Sequence, residues 1–453
     1  MATSVPHPRA IPYRLVCLWL ALATMAVHAQ SPLGLAELSL EELMEIEVSS
    51  VSRKSEKLAS VAAAVTVITA NDMRHAGVTT LPEALRLAQG LHVAHIDANK
   101  WAIAARGFNA QFVGYLLVLI DGRSVYSPLF SGVFWEIQDL LLDDVDRIEV
   151  IRGPGATMWG ANAVNGIINV ITRPAVETQG TLVRVAGGTQ ERGAAVRHGT
   201  SVGETGHVRA YVKLDDRGTY VDDAGVAAHD GSSSAHGGFR ADWDPAEGTS
   251  ASLLGGLYKV DADETLSIPV LEPPYDNIVE DRRRYLGGHL LGRWRRAWAG
   301  GQELTLQTYY EISEEKGVWT QPDGPLQHRR QTLDFDSQFS LAPRGRHKLM
   351  WGAGYRTTRD DIAEMVDFHL VPPRRTDHLL SAFFLDEVDL SDNRLHLSVG
   401  SKFEHNGYTG FEFQPSLRLL GRLRPNHSLW AAVSRAVRTP TRIEHDVRLI
   451  GDV

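Results

Sequence analysis

NRLHLSVGSKFEH, residues 393–405, places Leu395, Leu397, Val399 and Phe403 on one face of an extended chain and His396, Ser398, Lys402 and Glu404 on the other. A period of two marks a strand whose faces have different surroundings. The pattern recurs upstream. Leu304, Leu306, Tyr310 and Ile312 oppose Glu303, Thr305, Gln307 and Glu311; Leu333, Phe335, Phe339 and Leu341 oppose Asp334, Asp336, Gln338 and Ser340. In water such strands form a half-buried sheet, whereas in a bilayer the apolar face meets lipid and the polar face lines a lumen. Alternation alone leaves both open.

Connection lengths separate them. Short turns fall around 203–206, 245–248, 298–301, 343–346, 391–393 and 424–426, and longer polar segments lie between them at 215–234, 261–282, 313–328, 360–377 and, shorter, 406–412. Up-and-down membrane barrels keep this short–long parity, with tight turns at one end and long loops at the other. The pattern predicts about 13 strands from Gly180 onward, each near the ~9–11 residues that cross a bilayer when tilted.

Working outward, Arg9 and Arg14 precede an apolar run from Leu15 to Val27 that ends in Val27-His28-Ala29, a small-x-small cleavage pattern. The run falls well short of the ~20 residues of a membrane-spanning helix, so residues 1–29 read as a secretory signal. Cys17, the one cysteine, lies inside it and follows Arg14-Leu15-Val16, not the small residues of a lipid-attachment site. Beyond the signal no apolar run reaches the ~18 residues of a helical span. With 46 basic and 55 acidic residues, a net charge of −9 and no concentrated basic stripe, nucleic acid is not an expected partner. The 18 histidines form no HExxH or clustered Cys/His spacing, which gives no metal site. No catalytic constellation has a motif context, so neither an enzyme nor a cofactor is expected.

Residues 30–60 read as a mobile periplasmic leader and 61–174 as a compact α+β domain. Its strand-like runs are VAAAVTVIT (61–69), LHVAHI (91–96), WAIAARGF (101–108), YLLVLIDGRSVY (115–126), DRIEVIRGP (146–154) and GIINVIT (166–172). One helix is legible: Thr79 or Thr80 caps 81–87, with Pro82 in the first turn and Gly90 past the end. In IRGPGATMWGANAVNGIINVIT (151–172), Gly153, Gly155, Gly160 and Gly166 around Pro154 allow tight turns, while Asn162, Asn165 and Asn169 supply amides for exposed peptide groups. No Gly-Lys-Ser/Thr follows and no helix pattern opens, which argues against a phosphate loop.

That stretch resembles the plug signature of the TonB-dependent outer-membrane receptors. So, in the same order, do LHVAHIDANKWAIAARGF and LVLIDGRSVY (117–126), and further on GSKFEHNGYTGFEFQPSLRL (400–419) and SRAVRTPTRIE (434–444). The resemblance implies a transmembrane β-barrel (175–453) with an N-terminal plug whose signature loop holds Gly153, Pro154, Gly155, Trp159, Gly160, Asn162, Asn165 and Gly166. It implies plug arginines, matched by Arg106 and Arg152, that latch onto wall carboxylates, one matched by Glu404. Glu47, Val48, Ser49, Ser50 and Val51 are similar to the TonB box, which the TonB energy-transducing protein captures as an added strand. Trp101, Phe108, Tyr115, Tyr126, Phe130 and Phe134 offer aromatic surface at the plug apex or fill its core.

The implied function is active uptake of a scarce, bulky solute across the outer membrane of a Gram-negative bacterium, a ferric siderophore first and cobalamin second. The rival is a passive porin or surface adhesin with an inserted domain. The family's barrel has about 22 strands, roughly nine more than this sequence supplies. The chain ends on Val453, where complete barrels of this kind finish on an aromatic. We therefore expect a fragment or truncated product that is not a stable, active transporter alone.

Overall fold

The computed structural model describes residues 47–449 apart from 52, 222–224, 270–272, 322–323, 364–367, 392–393 and 425–426. The expected signal and the leader as far as residue 46 lie outside the described residues. The N-terminal domain contains Glu47–Val48 (β1), Glu56–Lys57 (β2), Ala64–Thr69 (β3), Leu91–His95 (β4), Trp101–Ala105 (β5), Leu116–Ile120 (β6), Arg123–Ser124 (β7), Val145–Arg152 (β8) and Gly166–Thr172 (β9). Five of these form one sheet in the order β3-β8-β9-β6-β7, with β6 and β9 parallel and the other neighbours antiparallel. Strand β6 (LLVLI) is apolar throughout and β9 nearly so, because both faces of the sheet are covered there, while β8 mixes Ile148, Val150 and Ile151 with Asp146, Arg147, Glu149 and Arg152. Val118, Ile148, Val150, Ile168 and Val170 pack with Leu81, Leu85 and Trp101 on one face, and Leu117, Leu119, Ile151 and Ile167 pack on the other.

The helix expected at 81–87 is one α-turn, Leu81–Ala84, continued by a 3-10 turn to Leu87 and capped by Thr80. Two α-helical segments of this domain were not expected. Ala70–Ala76 (α1) starts in a reciprocal cap between Thr69 and Asp72 and stops at Gly77, whose φ of 67° is left-handed. At seven residues it is too short to show an apolar repeat. Leu81–Ala84 is α2, and Ala156–Trp159 (α3) is a single turn inside the signature stretch, wedged between Gly155 and Gly160.

Thirteen antiparallel strands follow, the number expected: Gly180–Gly187 (β10), Glu191–Val202 (β11), Gly206–Arg217 (β12), Ser232–Ala246 (β13), Thr249–Pro269 (β14), Asp276–Ala297 (β15), Glu303–Gln321 (β16), Gly324–Ser340 (β17), His347–Ile362 (β18), then, past Phe368–Leu370 (β19), Arg374–Asp389 (β20), Leu395–Asn406 (β21), Gly410–Arg424 (β22) and His427–Ser434 (β23). Each pairs with the next in sequence, and among the described residues the edges β10 and β23 do not meet, so the barrel wall is unclosed. β19 instead pairs with Val447–Leu449 (β24), which follows the short helix Arg442–Asp446 (α4).

The wall is inside out. On β17, Leu333 and Phe335 are 46% and 45% exposed while Asp334 between them is 8% exposed. On β21, Val399 and Phe403 face outward and Lys402 and Glu404 are buried. A water-soluble sheet would hide the apolar set; here the polar set is hidden, which is the arrangement of a wall with lipid outside and a polar lumen.

Loop lengths depart from the expectation at three places, one of them the expected segment 406–412, which is a three-residue turn, 407–409, between β21 and β22. The segments 261–282 and 313–328 are mainly strand: β14 and β15 run 21 and 22 residues, and β16 and β17 run 19 and 17. The extensions are polar because they overhang the apolar band. Cross-strand ion pairs, Asp261 with Arg284 (2.9 Å) and Asp263 with Arg282 (2.5 Å), brace them. True long connections remain at 218–231 and 363–373.

Candidate functional site

The N-terminal domain lies against the polar face of the wall, and ion pairs cross the seam at many points. Asp144 is held by Arg197 at 2.7 Å and Arg209 at 3.1 Å, and Asp139 by Lys213 at 2.5 Å. Burial pushes the Asp139 carboxyl up, but the Lys213 ammonium more than offsets this and leaves it below the ordinary range. At the long-loop rim Asp230 accepts the Ala98 amide at 2.9 Å and Lys100 meets Glu264 at 2.8 Å. Phe112, Phe130 and Phe134 pack with Tyr285 of the wall. Further round, Arg123 pairs with Glu311, which also takes Arg330 at 3.2 Å, and Arg293 donates to the Asp121 carbonyl at 2.6 Å.

Glu136, also at this seam, forms no ion pair among the described residues. It is partly buried and accepts the Tyr285 hydroxyl at 3.1 Å. Burial, with Glu315 nearby, pushes its carboxyl up to about 7.

The residues singled out from sequence divide. Glu404 is 3% exposed and touches the domain, through the Ala161 amide (2.9 Å) rather than through an arginine; Gln414 donates to it at 2.6 Å. Gly160, at φ 87°, brings its Cα so close that any Cβ would collide with the Glu404 carboxylate. Arg106 and Arg152 are not paired with Glu404 or with another wall carboxylate among the described residues. Among the described residues neither forms an ion pair: Arg106 sits exposed in a left-handed turn beside Gly153, and the Arg152 stem lies along Gly90. The expected arginine latch on Glu404 is therefore replaced by a backbone contact. Geometry puts wall guanidiniums on the domain's carbonyls instead, as Arg418 does on Pro154 at 3.2 Å.

In the signature loop the Gly153 amide donates to the Asn165 carbonyl at 2.8 Å and the Gly155 amide to the Ala163 carbonyl at 3.1 Å. Asn165 satisfies the Ala105 carbonyl at 3.0 Å, Asn169 reaches the Ser50 hydroxyl at 2.9 Å and Asn162 binds Thr439.

The described residues of 47–60, expected to be mobile, are packed. Val48 is fully buried, β1 pairs with β2, and the Ser49 and Ser50 amides both donate to the buried Glu149 carboxylate, at 3.0 and 2.8 Å. Arg53 meets Asp336 at 2.7 Å and stacks over Trp159. The sequence hid this because the partners lie about a hundred or more residues away.

Between the β6–β9 face and the wall strands β15 to β21 runs a cavity of about 560 Å³. It extends from Ser49 and Arg53 near the short-turn rim to Tyr408 and Thr441 near the long-loop rim.

A model of the TonB-dependent receptor plug domain matches residues 57–167, and the TonB-dependent receptor-like β-barrel model matches 211–444, more than half of the chain. The chain belongs to the TonB-dependent receptor family. It is 27% identical over 268 residues to the vitamin B12 transporter BtuB of Vibrio cholerae, covering 58% of this chain and 41% of that one. It is 24% identical over 498 residues to the ferric enterobactin receptor of Pseudomonas aeruginosa, covering 95% of this chain and 65% of the receptor. The fold is similar to the ferripyoverdine receptor of the outer membrane of Pseudomonas aeruginosa, with a TM-score of 0.68 at 15% identity over 86% of this chain and 58% of that one. This receptor chain thus spans under two thirds of each relative's length, and its N-terminal domain is the family's plug.

Proposed function

We propose that this receptor serves TonB-driven uptake of a scarce, bulky solute across the outer membrane of a Gram-negative bacterium, with no covalent chemistry and no cofactor. A ferric siderophore is the first substrate class and cobalamin the second, in keeping with the vitamin B12, ferric enterobactin and ferripyoverdine named for its relatives. The observation that carries the reading is the plug seated against the polar wall by paired charges, with its N-terminal segment held at the short-turn rim. A passive pore needs an unobstructed lumen, which these contacts oppose.

In this reading Glu47, Val48, Ser49, Ser50 and Val51 form the TonB box. TonB would capture it as an added strand, because an extended segment offers free backbone donors and acceptors once undocked. A pull on it reaches Arg53, and through Arg53 both Trp159 of the plug and Asp336 of the wall. The cavity along β6 and β9 is the path that such a shift would widen. Titration of ferric enterobactin, ferripyoverdine and cyanocobalamin into the detergent-solubilised protein, followed by tryptophan fluorescence, is expected to give saturable binding of one of them. The periplasmic domain of TonB is expected to engage residues 47–51. Failure of all three ligands and of TonB would overturn the proposal.

A further inference from the structure

Resting on the reading of residues 47–51 as a partner-capture strand, we infer that Trp159–Asn162 is a relay that keeps this strand docked and is released from the long-loop rim through residues 437–441. Trp159 and Asn162 are then positioning residues.

At one end of the four-residue span, the groups an incoming strand would need are already taken. The Ser49 and Ser50 amides are held by Glu149, the Ser50 carbonyl accepts the Trp159 indole N–H at 2.6 Å, and the Ser50 hydroxyl accepts from Asn169. Strand addition uses main-chain donors and acceptors, so the segment is closed to a partner while these bonds stand.

At the other end, the Asn162 amide donates to the Val437 carbonyl at 2.8 Å, the Thr439 amide donates to Asn162 Oδ1 at 3.1 Å, and Asn162 Nδ2 donates to Thr439 Oγ1 at 3.3 Å. Asn162 has a φ of 72°, a left-handed value that these three bonds hold in place. Residues 437–441 lead into α4, where the Arg442 and Ile443 amides donate to the Pro128 and Leu129 carbonyls of the plug apex at 3.1 and 3.2 Å. Between the ends, Gly160 and Ala161 rest on Glu404.

Only Gly160 and Ala161 separate the two anchored residues, and both rest on Glu404, so a displacement at Asn162 is passed to Trp159 across three peptide bonds. A ligand that moves the apex loop or residues 437–441 therefore drags Trp159, and with it the hydrogen bond that holds Ser50. Glu404, pinned by Gln414, is the pivot against which the span moves.

The test is hydrogen exchange by mass spectrometry on the peptide covering residues 47–57, in the whole chain in detergent. Asn162→Gly removes the Thr439 contacts without backbone strain, and Trp159→Phe keeps the ring while deleting the donor to Ser50. Each is expected to speed exchange of the Ser49 and Ser50 amides by about tenfold, with the amides of β16 and β17 unchanged. Thr439→Val, nearly isosteric, removes only Thr439 Oγ1; it is expected to speed the same amides by about threefold, and it decides the matter should Asn162→Gly fail to fold. Acceleration by Trp159→Phe with none from Asn162→Gly or Thr439→Val would overturn the relay. Acceleration in all three that the periplasmic domain of TonB does not reverse leaves the relay standing and removes the partner-capture reading instead.

Discussion

Glu311 lies between two guanidinium groups, Arg123 from the plug and Arg330 from the next wall strand, and is 12% exposed. Removing one partner of a buried pair leaves charge uncompensated, at about 3–5 kcal/mol. Because Arg330 remains, Arg123→Met should weaken plug seating toward the low end, about 3 kcal/mol, read from the urea dependence of plug unfolding. Glu136 behaves oppositely. Its folded value of about 7 lies above the ordinary 4.5, so the folded plug binds the proton more tightly than the unfolded chain does. That contribution is whole below about pH 4.5 and is lost as the pH rises through 7. Glu136→Gln is expected to flatten plug stability across this window and to leave the variant more stable at pH 8 by about 1–3 kcal/mol, measured by urea titration at several pH values. Little at this scale was legible in the sequence. Arg123, Asp144 and Asp139 look like ordinary surface charges until the fold sets them against Glu311, Arg209 and Lys213. Arg106 and Arg152, which the family resemblance singled out, form no ion pair with the wall among the described residues.

At the scale of elements, the wall strands follow from their own alternation. Leu333, Asp334 and Phe335 suffice to orient β17, since a period of two leaves only the choice of face, and burial of Asp334 settles it. Phe335→Arg is therefore expected to cost about 2–4 kcal/mol near the bilayer midplane, measured by folding into lipid vesicles, because the charge would enter hydrocarbon. The same arginine at Ser337, whose hydroxyl caps the Ala353 carbonyl, would report how steeply that cost falls toward the rim. What stayed illegible were the ends. β14 to β17 overrun the apolar band, and there charged ladders such as Asp263 with Arg282 carry the pairing that apolar alternation carries lower down. Short helices were missed for a related reason: α1 and α3 are set by a cap and by two flanking glycines, not by periodicity.

For the whole molecule, strand number, the mixed α+β inner domain and the antiparallel wall were all readable, because each follows from local pattern or motif order. The seam between plug and wall was not, since Arg53 and Asp336, or Asn162 and Thr439, are joined only by the fold. The account rests on a wall that turns its oily side outward and its charged side toward the plug. Cysteines placed singly at 333, 334 and 335 in a background lacking Cys17, spin-labelled in lipid vesicles, test this through collision with oxygen, which concentrates in the bilayer, and with a nickel chelate, which does not. Labels at 333 and 335 are predicted to favour oxygen, with the label at 334 shielded from oxygen by the plug. Equal oxygen accessibility at all three, or a preference for the nickel chelate at 333 and 335, would contradict the account.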